Sequence, residues 1–289
     1  MPNVVIIGNG PAGLSAGIYA ARAGMDTLVI GSGNSSLLKA EKIENFFGHA
    51  EPITGKELLM NGEAQCKNLG VVIVEDEAVG ITFGEKLMVR TASGQSFPAE
   101  AIVLATGMTR KTPKIEGLEK FEGSGVSYCA TCDGFFFRGK DVAVLGSGEY
   151  AANEAMELLP IAKSVTILTN GEELKPALPG GVELNKGKIK AFAGESTLEK
   201  VTFEDGSELA VAGVFIAMGT AGSADFAKKL GAETEGNKII VDEKMATNVP
   251  GIFAAGDGTG GWYQVAKAVY QGAVAGSEAA RFLRESTKE

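Results

Sequence analysis

The 289-residue chain is poor in several residue types that build common sites. It has one histidine, His49, in the segment FFGHAEP, which reads as a surface loop. Catalysis resting on a His pair or a multi-His metal cage is therefore excluded. It has three cysteines, too few for a disulfide scaffold. Lysine and arginine number 27 against 36 aspartates and glutamates, a net charge of −9. Such a chain lacks the basic footprint of a general nucleic-acid binder. No apolar run approaches the ~18 residues of a membrane span. The opening MPNVVIIGNGPAGLSAGIYAARAG has no positive n-region and is broken by glycines, unlike a signal peptide. Together these readings lead to the expectation of a cytoplasmic protein in a reducing compartment.

What the chain has in excess is glycine, 40 residues without a collagen-like period. Much of it is grouped in turns after short β-branched runs. Residues 4–13, VVIIGNGPAG, give a strand followed by Gly8-x-Gly10-x-x-Gly13. A small-residue helix comes next, and then a second apolar run, TLVI (27–30). This is the order of a dinucleotide-binding unit. Gly8 allows the tight turn, Gly10 lets backbone approach a pyrophosphate, and Gly13 lets helix and strand pack closely. Pro11 fits the first helical turn, where its missing donor costs little.

The unit recurs. DVAVLGSGEYAANEAMELLPIAKSVTIL (141–168) aligns on it without a gap at an offset of 146 − 8 = 138. Gly146, Gly148 and Ala151 then fall on Gly8, Gly10 and Gly13, and IVLATG (102–107) is echoed by VFIAMG (214–219). Two nucleotide folds point to a two-dinucleotide flavoenzyme, or to one working site beside a structural copy. The fold expected is α/β, with two Rossmann-like domains of the three-layer ββα FAD/NAD(P)-binding type, the second inserted into the first. The first domain spans 1–112 plus 245–289 and the inserted one 113–244, with crossings in RKTPKIEG (110–117) and VDEKMATNVPG (241–251). Residues 71–92 and 186–211 alternate like small antiparallel sheets. GIFAAGD (251–257) is a buried strand that can place Asp257 beside a ligand hydroxyl, ahead of a long small-residue helix.

The remaining chemistry lies in SYCATCDGFFFRGK (127–140), where Cys129 and Cys132 stand two residues apart with Asp133 behind them. A zinc site would need two further ligands, and no second pair exists, so no metal is expected. A dithiol with this spacing suits disulfide exchange, in which one thiolate attacks and a second resolves the mixed disulfide. An adjacent acid can carry the proton. Cys66, within ELLMNGEAQCKNLG, reads as an inert, partly buried thiol.

VVIIGNGPAG, IENFFG, IVLATG, GVSYCATCDGFFFRGK, VAVLGSG and GIFAAGD, in this order and spacing, resemble the low-molecular-weight thioredoxin reductases over nearly the whole chain. The resemblance implies a homodimer with one FAD per chain in the outer domain. It also implies an NADPH-binding inserted domain that carries the dithiol and rotates between two states. Carried over by position, Cys132 is the flavin-proximal thiol, Cys129 attacks the substrate disulfide, and Asp133 is the acid–base group. Gly8, Gly10, Pro11, Ala12, Gly13, Asn45, Thr106, Gly107, Gly256, Asp257, Gln264 and Val265 fall at FAD-binding positions. Thioredoxin or a similar small dithiol protein is the implied partner.

One stretch departs from that pattern. Where NADPH-using members carry His-Arg-Arg-x-x-x-Arg, this chain reads Thr169-Asn170-Gly171-Glu172-Glu173-Leu174-Lys175. The guanidinium groups that would grip a 2′-phosphate are gone, and two acids stand in the segment. Glu149 and Tyr150 fill the second glycine turn, where a carboxylate repels a pyrophosphate and a phenol takes its space. The alternative is that both side chains face solvent and the site works. NAD(P)H is thus doubtful as a donor. Reduced ferredoxin is favoured, with NADH next. Lys186, Lys188 and Lys190, or Arg110, Lys111 and Lys114, are candidate docking groups for an acidic carrier, or ordinary solvated faces. Trp262 or Tyr263 would cover the flavin ring, or else belong to a core or an interface. A different class remains beside the reductase: a flavin-dependent dithiol oxidase passing electrons to oxygen or a quinone.

Overall fold

The structure is a computed structural model that describes residues 3–84, 86–107, 113–128, 130–219 and 222–286, with the backbone alone for Thr131 and Cys132. The chain divides into two compact units, Met1–Met108 with Gly222–Glu289, and Thr109–Ala221. Residues 222–244, expected in the inserted segment, group with the first unit.

Along the first segment run β1 (Val4–Ile7), α1 (Pro11–Arg22), β2 (Thr27–Gly31), α2 (Gly55–Asn68) and β3 (Val72–Glu75). An antiparallel sheet of β4 (Ala78–Thr82), β5 (Leu87–Thr91) and β6 (Ser96–Ala99) follows, then β7 (Ala101–Leu104). The second unit contains β8 (Val126–Ser127), α3 (Ala130–Asp133), β9 (Asp141–Leu145), α4 (Glu149–Leu158), β10 (Ser164–Leu168) and β11 (Glu183–Asn185). It continues through β12 (Ile189–Ala193), β13 (Lys200–Phe203) and β14 (Glu208–Ala210), an antiparallel sheet, to β15 (Gly213–Ile216). The chain returns to the first unit through α5 (Ser223–Lys229), the hairpin β16 (Thr234–Glu235) and β17 (Lys238–Ile239), β18 (Ile252–Ala254) and α6 (Val265–Ser286).

Each unit is built on a five-stranded parallel sheet, β18-β7-β1-β2-β3 in the first and β11-β10-β9-β15-β8 in the second. The central strands VVII, AIVL, DVAVL and GVFI are apolar almost throughout and buried, as strands covered on both faces must be. The internal repeat is therefore real in three dimensions, with β9, β10, β11 and β15 matching β1, β2, β3 and β7. Only the fifth strand differs in origin. β18 reaches the first sheet from late in the chain, whereas β8 reaches the second from just before the dithiol segment.

Residues 71–92 do not form one antiparallel sheet. Val72–Glu75 pairs in parallel with β2 as an edge strand, and the antiparallel sheet begins at Ala78. Long-range pairing with an apolar neighbour decides the partner, which local alternation does not encode. In the first unit α1 and α6 meet backbone to backbone. A Cβ on Gly272 would lie 2.1 Å from the Ala12 carbonyl oxygen, and one on Gly276 2.2 Å from that of Ala16. The small residues of α6 are thus a packing requirement. A capping box of Thr54 and Glu57 starts α2, and these Thr54 hydrogen bonds hold the Glu57 carboxyl below its ordinary range.

Candidate functional site

In the first unit the sequence-predicted residues collect at the carboxyl edge of the sheet, where open α/β folds bind ligands. Gly8, at φ +116°, could not carry a side chain, because a Cβ would sit 2.3 Å from the Ala105 carbonyl oxygen. This places the first glycine turn against the segment holding Thr106 and Gly107. A Cβ on Gly13 would approach the Gly8 carbonyl oxygen to 1.7 Å, so helix and strand touch there. Gly10, by contrast, faces open space beyond the Ser35 hydroxyl, and α1 starts on it with no side-chain cap. A helix of just over three turns whose first N–H groups have no capping side chain, behind an open glycine, fits an FAD pyrophosphate. Pro11 and Ala12 form its first turn.

Three further contacts complete this edge. Thr106 receives its support from Ser223, whose Oγ accepts the Thr106 amide at 3.0 Å and lies 2.9 Å from its hydroxyl. Gly256, at φ +81°, lies against Ala12, with room for only a hydrogen where a Cβ would be 2.9 Å from the Ala12 Cβ. Gln264 accepts from Asn45 at 3.0 Å, which ties the 45 loop to the start of α6 at Val265.

The turn Gly256–Thr259, which carries Asp257, is held by two residues that sequence reasoning missed. Lys267 Nζ donates to the carbonyls of Gly256 (2.7 Å) and Gly260 (2.6 Å) and to Thr259 Oγ1 (3.2 Å). Gln271, one helical turn on, accepts the Gly256 amide at 3.0 Å. Burial draws the Lys267 ammonium below its ordinary pKa, partly opposed by the Asp257 carboxylate. Their only signal was polar residues at i and i+4 on a helix otherwise rich in small ones. Trp262 and Tyr263 are both exposed, at 67% and 50%, and so are not core aromatics.

In the second unit β8 ends at Ser127 and delivers the dithiol segment to the carboxyl edge of its own sheet. This is the place that β18 and Asp257 occupy in the first. Cys129 lies outside the described residues. Cys132 falls in α3, followed by Asp133, whose Oδ2 accepts the Ser127 hydroxyl at 2.6 Å. Phe135 and Phe136, directly after the helix, are 68% and 70% exposed.

The second glycine turn is arranged differently from the first. Gly146 is required, since a Cβ would lie 2.2 Å from the Ala217 carbonyl oxygen, and Ala151 replaces the third glycine. Tyr150 is buried within the unit and not turned to solvent, while Glu149 is half-buried. Segment 169–175 folds back over the turn. The Ser147 hydroxyl donates to Glu172, and the Lys175 amide donates to the Ser147 carbonyl at 2.9 Å. A carboxylate is thereby hydrogen-bonded to the central residue of the turn that would cradle a phosphate. Glu173 pairs with Lys186 at 2.6 Å, so one of the three candidate docking lysines already has an acidic partner.

Cys66 is fully buried, its thiol donating to the Leu14 carbonyl at 3.3 Å. Burial, with Glu63 adding, pushes its pKa up to about 11, which makes it unreactive. His49 is exposed, its ring near Phe46. Among the described residues no group of His, Cys, Asp and Glu could hold a metal ion, and no helix is long and apolar enough to cross a membrane.

Comparison with known proteins agrees with this geometry. Residues 2–272 match the family described as pyridine nucleotide-disulphide oxidoreductase. The chain is 36% identical over 273 residues to a thioredoxin reductase of Aquifex aeolicus, covering 88% of this chain and 84% of that one. It is similar to the crystal structure of the atypical thioredoxin reductase TRi from Desulfovibrio vulgaris Hildenborough, at 43% identity and a TM-score of 0.93 over 99% of both chains. A ferredoxin-flavin thioredoxin reductase from Clostridium acetobutylicum matches at 33% identity and a TM-score of 0.72 over 98% of both chains. With a glycine cradle that fits FAD on one parallel sheet and a Cys-x-x-Cys segment at the edge of another, the chain belongs to the pyridine nucleotide-disulphide oxidoreductases and is a flavoprotein disulfide oxidoreductase of the thioredoxin reductase type.

Proposed function

We propose that the protein reduces the disulfide of thioredoxin, or of a similar small dithiol protein, with electrons that enter from reduced ferredoxin and not from NADPH. The curated relatives named thioredoxin reductase support the acceptor. The ferredoxin-flavin relative supports the donor. The observation that carries the donor reading is the Ser147–Glu172 hydrogen bond. An anionic nucleotide entering that turn would meet a carboxylate in place of guanidinium groups. NADH, which lacks the 2′-phosphate, meets the same obstacle at its pyrophosphate.

FAD held in the first unit, once reduced by two one-electron transfers from ferredoxin, would supply the electron pair for reduction of the Cys129–Cys132 disulfide. The residues assigned to hold it are Gly8, Gly10, Pro11, Ala12, Gly13, Asn45, Thr106, Gly107, Gly256, Asp257, Gln264 and Val265. Asp133, set by Ser127, carries the proton that the dithiol gains on reduction. The Cys129 thiolate then attacks the partner disulfide and displaces one of its sulfurs as a thiolate. Cys132 attacks the mixed disulfide, which frees the reduced partner and restores the Cys129–Cys132 bond. Two electrons pass to the partner, and its two sulfurs take up two protons.

The test is anaerobic mixing of the holoenzyme with NADPH, NADH and reduced ferredoxin in parallel, following flavin absorbance. Bleaching by ferredoxin within the mixing time, and none by either nucleotide at millimolar concentration, is expected. Rapid bleaching by NADPH sinks the donor reading.

Phe135 and Phe136 follow the dithiol closely in the chain and are exposed, and exposed aromatics near a reactive pair suit a protein partner better than a small thiol. The double change Phe135→Ala with Phe136→Ala should raise KM for thioredoxin about tenfold, a loss of the size expected when interface aromatics are truncated. Flavin bleaching by the donor should stay unchanged. An unaltered KM would remove these rings from the docking face.

A further inference from the structure

The dithiol segment is in contact with a second carboxyl group, one that the exchange chemistry above does not use. Glu154, on α4, is 1% exposed, and its Oε2 accepts the backbone N–H of Ala130 at 2.9 Å. Ala130 directly follows Cys129 and opens the turn that ends at Cys132 and Asp133. The segment is thus bracketed by two acids, Asp133 bonded to Ser127 and Glu154 bonded to Ala130. Glu157, one turn further on α4, is held by the side-chain amide of Asn153 at 3.1 Å.

A glutamine would accept the Ala130 amide with no charge to desolvate, so that bond by itself does not call for an acid. Nor does the fold require it. The internal repeat supplies the comparison: position 154 − 138 = 16 in the first unit is alanine, buried and packed against Gly276 of α6. The acid stands on this helix face only in the unit that carries the dithiol.

We propose that Glu154 is a positioning residue for the dithiol, and that its negative charge disfavours the thiolate and makes the pair more strongly reducing. The proposal rests on Cys129 and Cys132 being the redox pair. A negative charge next to the amide that joins Cys129 to Ala130 disfavours a thiolate at either cysteine. A dithiol whose thiolate is not stabilised is less stable in the reduced form, so it has a lower potential and gives its electrons up more readily. That is the direction a reductase of another protein's disulfide needs.

The experiment uses the full-length holoenzyme, its E154Q variant and its E154A variant. Each is reduced, freed of reductant without air, and alkylated with iodoacetamide at pH 7, with the modified cysteines identified by mass spectrometry. Cys66 serves as the unreactive internal standard. The dithiol is separately equilibrated against redox buffers. E154Q keeps an acceptor for the Ala130 amide, whereas E154A removes it and melts lower than E154Q. E154Q should alkylate about tenfold faster, the consequence of one unit in thiol pKa. Its dithiol–disulfide equilibrium should shift toward the dithiol, by less than the alkylation factor because thiols that stay mostly protonated at pH 7 gain little from the lower pKa. Native alkylation rate and potential in E154Q, or slower alkylation, overturn the role of the charge. If oxidised wild-type protein forms no Cys129–Cys132 disulfide, the redox-pair reading falls and this proposal with it. If it does form and E154Q is indistinguishable from wild type, the Glu154 proposal alone falls.

Discussion

Replacing Cys132 by serine should abolish thioredoxin reduction, by about a thousandfold or more, while FAD remains bound at full stoichiometry. A serine hydroxyl ionises far outside the working pH range and forms no bond with sulfur. Neither the return of the Cys129–Cys132 disulfide nor its reduction can then occur. Retention of FAD follows from the partition of the chain. Every residue assigned to FAD lies in the unit Met1–Met108 with Gly222–Glu289, and Cys132 lies in the other. The measurement pairs steady-state thioredoxin reduction with the flavin absorbance of the purified variant. Full turnover by C132S would end the dithiol mechanism. Loss of flavin together with turnover would show that the two units depend on each other in a way the partition does not suggest.

The same partition shows which features the sequence could disclose. The parallel sheets were legible because their strands are buried on both faces and read as unbroken apolar runs, VVII and DVAVL among them. The glycine turns were legible because their spacing after an apolar run recurs in both units. The steric need is local only at Gly13, against the Gly8 carbonyl, while Gly8 and Gly146 are constrained by the distant Ala105 and Ala217 carbonyls. β8 was not legible. It is two residues long and exists only through pairing with β15, so no window around Val126 and Ser127 announces a strand. Side chains that serve distant backbone were equally hidden. Lys267 on a helix reads as a solvated cation until the carbonyls of Gly256 and Gly260 surround it. Glu172 reads as a charge hostile to phosphate, but its bond to Ser147 depends on how 169–175 folds back. Glu154 reads as one more acid of an amphipathic helix, and only its burial against Ala130 sets it apart.

The internal repeat also gives two tolerances for one motif, which makes a single methyl group decisive. Gly13→Ala should strip the protein of FAD, with affinity falling about a hundredfold or more, although alanine is the better helix former. The added Cβ would lie 1.7 Å from the Gly8 carbonyl oxygen and 3.4 Å from Ile6 Cγ2. Relief requires α1 to move away from β1 by more than an ångström. α1 has nowhere to go, because on its other side the backbones at Ala12 and Ala16 are already against Gly272 and Gly276. The turn must distort instead, and with it the path of Gly10 and the first N–H groups of α1, which are the groups aimed at the pyrophosphate. Overpacking of this kind costs about 1–3 kcal/mol of stability as well. In the second unit the equivalent position already holds Ala151, buried and accommodated. Ala151→Gly is therefore the matched control and should leave flavin content unchanged. The readouts are flavin-to-protein absorbance after gel filtration and FAD titration of the apoprotein. Native FAD affinity in G13A would mean that the cofactor is not held on the first glycine turn.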